Sequence, residues 1–205
     1  MYISQGTTSL EQLKNIQQAL DAGCRWIQLR FKNADHEQLL KTAEHVKRLC
    51  FAYDATFIIN DSVEAVMEVG ADGVHLGLND VSVDAARIIL GSHKVIGGTA
   101  NTLEDVLQRV EEKCSYIGLG PFRFTNTKQH LSPVLGLERY QTIMTELKKQ
   151  NIKTPVYAIG GIELNDVESL MQTGIYGIAL SGALTNSTDK KEFIKQFNEI
   201  QYANA

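Results

Sequence analysis

One short pattern recurs along the chain, and it limits what the chain can fold into. Gly23-(x3)-Ile27-Gln28-Leu29-Arg30 is matched by Gly70-(x3)-Val74-His75-Leu76-Gly77 and by Gly174-(x3)-Ile178-Ala179-Leu180-Ser181. Ile117-Gly118-Leu119-Gly120 is a further copy in which Lys113 stands in the glycine's place. Each copy reads as a helix stop, a tight turn and a strand. One phase of each strand is apolar: Ile27/Leu29, Val74/Leu76, Ile117/Leu119 and Ile178/Leu180. Side chains alternate across a strand, so this phase should face a layer of helices. The other phase is polar or small (Gln28/Arg30, His75/Gly77, Gly118/Gly120, Ala179/Ser181) and should line an interior. A flat sheet covered on both faces needs apolar residues on both phases. The pattern therefore favours an α/β fold closed into a (β/α)8 TIM barrel. A doubly wound open sheet is the alternative on pattern alone.

The rest of the chain fits that reading. Strands are expected at Tyr2–Ser4, Trp26–Arg30, Thr56–Asn60, Val74–Gly77, Val95–Gly98, Tyr116–Leu119, Val156–Ile159 and Gly177–Leu180. Apolar stripes at helical spacing lie between and after them, from Leu10, Leu13, Ile16, Ala19 and Leu20 to Phe193, Ile194 and Phe197, and predict eight helices. Ser9, Asp35 and Asn165 are candidate N-caps, and Gly23, Gly70, Gly91 and Gly174 are candidate helix ends. No linker divides the 205 residues, so one domain is expected over 1–205. Two of the three prolines, Pro121 and Pro133, lie in 120–136, which reads as an active-site loop; 201–205 reads as a frayed end.

Composition narrows the partners. Lys+Arg total 20 against Asp+Glu 24, a net charge of −4, which excludes nucleic acid or an anionic membrane as the main partner. No apolar stretch approaches the ~18 residues of a membrane span. Cys24, Cys50 and Cys114 form no C-x-x-C pair, and a reduced, cytoplasmic setting is the simplest reading. Oligomeric state, a homo-oligomer included, is left open.

In a barrel the chemistry gathers where strands end and lead into helices. Arg30 and Lys32 share a strand face with Gln28, and Lys128 sits beside Thr125 and Thr127 in a loop. Three cations at one mouth suit a diphosphate better than a single carboxylate. Asp61 follows the third strand and Asp80 the fourth. Two Asp oxygens without a His or Cys cluster fit a hard ion such as Mg2+. The competing reading is that Asn60-Asp61 and Asn79-Asp80 merely cap helices. Gly160-Gly161 and Ser181-Gly182, after strands seven and eight, occupy the usual monophosphate position of such barrels. His75, on the interior phase, reads as structural rather than catalytic.

These residues resemble the thiamine-phosphate synthase (thiamine-phosphate pyrophosphorylase) family. The matching pieces are Gln28-Leu29-Arg30-x-Lys32, Asn60-Asp61, Gly73-Val74-His75-Leu76-Gly77-x-x-Asp80, Ile96-Gly97-x-Thr99, Gly118-x-Gly120-Pro121, Thr125-x-Thr127-Lys128, Ala158-Ile159-Gly160-Gly161-Ile162 and Ala179-Leu180-Ser181. They run in order from about residue 24 to 184. The resemblance implies a transferase that couples 4-amino-5-hydroxymethyl-2-methylpyrimidine diphosphate to 4-methyl-5-(2-hydroxyethyl)thiazole phosphate, releasing diphosphate. It implies that Gln28, Arg30, Lys32, Asn60, Thr99 and Lys128 bind the pyrimidine diphosphate, with Arg30, Lys32 and Lys128 stabilising the leaving group. It further implies that Asp61 and Asp80 hold Mg2+, and that Thr125, Thr127, Gly161, Leu180 and Ser181 hold the thiazole phosphate. The chain departs from the family pattern at Phe31, where Glu is usual, at Thr99, where Ser is usual, and at Arg123, a further candidate phosphate contact. A sister thiazole tautomerase and a non-catalytic phosphate-binding barrel are the alternatives.

Overall fold

The computed structural model describes residues 1–124 and 133–203, the Tyr202 side chain excepted. The strands are β1 (Tyr2–Ile3), β2 (Trp26–Leu29), β3 (Thr56–Asn60), β4 (Gly73–Leu76), β5 (Val95–Ala100), β6 (Tyr116–Leu119), β7 (Val156–Ile159) and β8 (Gly177–Ala179). All neighbouring pairs are parallel and follow chain order. A bridge from Tyr2 to Leu180 returns the last strand to the first. Ile3 N donates to Leu180 O at 2.8 Å, and Leu180 N donates to Met1 O at 2.9 Å. This closure removes the open-sheet alternative.

Helices α1 (Ser9–Asp21), α2 (His36–Ala52), α3 (Val63–Val69), α4 (Val83–Leu90), α5 (Leu103–Glu111), α6 (Gly136–Lys149) and α7 (Val167–Met171) alternate with the strands. A short α8 (Gly182–Thr185) precedes α9 (Lys190–Ala203), so among the described residues there is one more helix than the eight stripes predict. Four residues are too few to show a helical period. The last helix also continues to Ala203, into the segment expected to fray. Thr8, not Ser9, caps α1, forming a reciprocal capping box with Glu11. Asn165 lies within a 3-10 turn, Leu164–Asp166, whose N-cap is Glu163.

The repeat is conformational as well as sequential. Gly23, Gly70 and Gly174 have φ of 108°, 71° and 89°, and Lys113 in the fourth copy takes a φ of 58°. The turn geometry therefore dictates the backbone, and lysine accepts a conformation that glycine adopts freely.

The two strand phases separate as expected. Ile27, Leu29, Val74, Leu76, Ile117, Leu119, Ile178 and Leu180 join the core beneath the helices. Inside the barrel, Trp26, Tyr116 and Tyr157 meet edge to face, with ring centroids 5.2 to 5.6 Å apart. Glycines on neighbouring strands make room for them. A Cβ on Gly97 would lie 2.2 Å from the Tyr116 ring, and one on Gly177 would lie 3.0 Å from the Tyr157 ring. This aromatic layer fills the barrel floor and leaves a cavity above it, at the carboxyl ends of the strands.

Candidate active site

The cavity has a volume of about 1030 Å³. Gln28, Arg30, Lys32, Asn60, Asp61, Asp80 and Thr99 line it, and so do Gly161 and Ser181. Thr125, Thr127 and Lys128 lie outside the described residues, as does the middle of the expected active-site loop, 125–132. The described ends of that loop are tied together, with Leu135 N donating to Pro121 O at 2.9 Å and Gly136 N to Phe122 O at 3.0 Å.

The tips of β2 to β5 form the charged side. Gln28 is buried at the floor of the cavity; its Nε2 donates to Asn60 Oδ1 at 2.7 Å. Its Oε1 is buried with no hydrogen-bond partner among the described residues. A buried acceptor in that state calls for a donor from a ligand or water. His75 is 4% exposed and bonds Tyr116 Oη through Nδ1 and Thr99 Oγ1 through Nε2, both at 3.0 Å. It is a hydrogen-bonded interior histidine that orients the Thr99 hydroxyl.

Asp61 and Asp80 come together at the rim. Partial burial and the facing Asp80 carboxylate push the Asp61 pKa up to about 6, while Arg30 and Lys32 pull it down. Neither carboxylate caps a helix: Ser62 caps α3 and Ser82 caps α4. The capping alternative is thereby displaced by one residue in the first case and by two in the second. Asp61 itself is held at a φ of 68°, and Asp80 Oδ2 accepts from Gly77 N at 2.6 Å. No group of three or more His, Cys, Asp or Glu side chains suited to a metal occurs among the described residues. A pair of carboxylates is the donor set that suits Mg2+, which keeps waters and takes phosphate oxygens for its remaining positions.

The opposite side is built on glycine turns, and the arginine that lines it, Arg123, is ion-paired. Gly160 and Gly161 have φ of 93° and 69°. A Cβ on Gly161 would lie 2.9 Å from Arg123 Cβ and 3.0 Å from Arg123 O, so only glycine lets the two loops meet. Ser181 Oγ donates to Ile3 O at 2.8 Å. Leu180 does not line the cavity: its side chain joins the outer core, and its N–H and C=O are used in closing the barrel against Met1 and Ile3. The Arg123 guanidinium grips Asp166 through both terminal nitrogens (2.9 and 2.8 Å) and donates to Gly161 O at 2.7 Å. It ties two loops together instead of offering a free charge to a phosphate. Sequence reading missed Asn101, which lines the cavity and whose Nδ2 donates to Gly120 O; it follows β5 and belongs to no recognised motif.

A closed barrel with cations and paired carboxylates on one side of its mouth and glycine turns on the other is built for phosphorylated small molecules. The chain belongs to the thiamine monophosphate synthase family, whose model matches residues 2–184. It is 57% identical to the thiamine-phosphate synthase of Flavobacterium johnsoniae, covering 99% of this chain and 96% of that protein. It is 49% identical to the thiamine-phosphate synthase of Phocaeicola vulgatus over 92% of this chain and 90% of that one. Among solved structures, a thiamine phosphate pyrophosphorylase from Pyrococcus furiosus superposes with a TM-score of 0.86 at 28% identity, covering 99% of this chain and 95% of that one. The chain is therefore similar throughout its length to transferases of one activity.

Proposed function

We propose that this barrel joins 4-amino-5-hydroxymethyl-2-methylpyrimidine diphosphate to 4-methyl-5-(2-hydroxyethyl)thiazole phosphate, giving thiamine phosphate and diphosphate, with Asp61 and Asp80 holding Mg2+. The carrying observation is the single cavity that sets Arg30, Lys32, Asp61 and Asp80 on one side and Gly161 and Ser181 on the other. Two anionic substrates need two such sides.

The thiazole nitrogen bonds to the methylene carbon of the pyrimidine as its C–O bond to diphosphate breaks. Arg30 and Lys32 stabilise the charge that accumulates on the departing oxygens. Arg30 is partly buried, and burial lowers its pKa against the opposing pull of Asp61, yet a guanidinium stays charged at neutral pH. Gln28 Oε1, without a partner among the described residues, is assigned to accept from the pyrimidine's amino group. Thr99, aligned by His75, offers its hydroxyl to the same substrate. The aromatic floor keeps solvent from reaching the reacting carbon from below. Mg2+, when bound, supplies charge neutralisation for the diphosphate. The thiazole phosphate is assigned to the side of Gly161 and Ser181.

Cys50 and Cys114 are buried, and burial pushes their thiols up to about 12 and 11. Cys24, Cys50 and Cys114 are all free, and a reducing, cytoplasmic setting is the reading we attach to three unpaired cysteines. Among the described residues no helix is long and apolar enough to cross a membrane.

The test is to mix the purified chain with both substrates and Mg2+ and to follow diphosphate release and thiamine phosphate formation. Asp80→Ala should slow the reaction about a thousandfold, the scale of several kcal/mol at about 1.4 kcal/mol per tenfold. Near-normal turnover by a folded Asp80→Ala protein would remove Asp80 from the metal site.

A further inference from the structure

Arg109 is the buried charged residue of α5, its side chain only 4% exposed, and the chemistry above does not use it. Side chains on a helix lean toward its N-terminus, so this arm reaches back from the second turn of α5 toward the mouth. Nε donates to Thr99 O at 3.1 Å, one terminal nitrogen to Gly77 O at 3.0 Å, and the other to Glu112 Oε2 at 2.7 Å. The β4–β5 ladder ends with the pair Leu76 and Gly98. The next pair, Gly77 and Thr99, is bridged by the guanidinium.

Both residues so held carry the diphosphate side of the cavity. Gly77 N–H binds the Asp80 carboxylate, and the Thr99 hydroxyl meets His75 at the cavity wall. The fold makes room for this contact. A Cβ on Gly98 would lie 2.6 Å from Arg109 Cδ, 2.9 Å from its Nε and 2.8 Å from Cys114 Sγ. The adjacent glycines of β5 thus serve opposite faces: Gly97 admits Tyr116 to the interior and Gly98 admits Arg109 outside. An apolar side chain of similar volume would fill the same space without burying a charge. What it could not do is fix two diverging strand tips.

We propose that Arg109 is a positioning residue, one that holds Asp80 and Thr99 in register from behind the sheet; the proposal deepens the reaction assigned above and rests on it. It acts on the metal and the pyrimidine diphosphate, and the thiazole phosphate side lies beyond its reach.

Two variants test this. Arg109→Lys keeps the charge but cannot span both carbonyls. Gly98→Ala keeps the arginine and places a methyl group where its arm now lies, so it carries the test if Arg109→Lys folds poorly. Each is melted, titrated with Mn2+ by electron paramagnetic resonance without substrates, and assayed below its melting temperature. Mn2+ should bind about tenfold more weakly, kcat/KM for the pyrimidine diphosphate should fall about ten- to a hundredfold, and the thiazole phosphate KM should stay within about twofold, the scale of a small misplacement confined to one substrate. An arginine with a structural role alone would lower the melting temperature and leave these values at wild type. That result, or an equal rise in both KM values, overturns the proposal. Failure of the reaction itself is distinguishable: the wild-type chain would then release no diphosphate, while the Mn2+ titration would still report on the carboxylates.

Discussion

Asp61 combines two costs in one residue: a left-handed backbone and a carboxyl group facing another carboxylate. Strain of this kind persists where surrounding structure over-determines it. The pKa rises from 3.8 to about 6. Between those values the metal-free folded state keeps a proton that the unfolded chain has released, so this group lowers stability as pH rises through that window. Denaturant midpoints of metal-free wild type should therefore fall relative to those of Asp61→Asn from about pH 4 to about pH 6. A constant difference between the two proteins would contradict the assignment. The rim residues were legible in sequence because charge gathers at successive strand ends, although helix capping competed for the two aspartates until Ser62 and Ser82 were seen to take that role. Arg109 was not, since an arginine on a helix ordinarily reads as solvated. Leu180 was misplaced because a motif names a residue but not the atoms already committed to barrel closure.

At the scale of elements, the repeated turn and the aromatic floor make separate predictions. Lys113 holds the conformation that glycine takes in the other copies. Lys113→Gly should raise stability by up to about 1 kcal/mol, measured by urea unfolding, because relief of backbone strain outweighs added freedom in the unfolded chain. A destabilised variant would show that the lysine makes compensating contacts. Gly97→Ala should cost about 1 to 3 kcal/mol, since its methyl group would overlap the Tyr116 ring. An unchanged melting temperature would show that the floor is loosely packed. The alternation that revealed the strands was legible because burial differs on their two faces. The glycine-for-aromatic exchanges were not, because they pair residues on different strands.

At the scale of the whole molecule, closure of the sheet lets one rim carry two unlike sides. Gly161→Ala, which presses on the Arg123 loop, should raise the thiazole phosphate KM while leaving the pyrimidine diphosphate KM nearly unchanged. Equal changes in both would mean that the two sides are mechanically one. The barrel itself could be read from the repeat, but the depth of the cavity could not, because it depends on where Trp26, Tyr116 and Tyr157 stop. That stopping point sets how far a ligand can sink. The edge-to-face rings hold the base of the well. Whatever the cavity takes in is thereby kept near the strand tips, within reach of the side chains that line them.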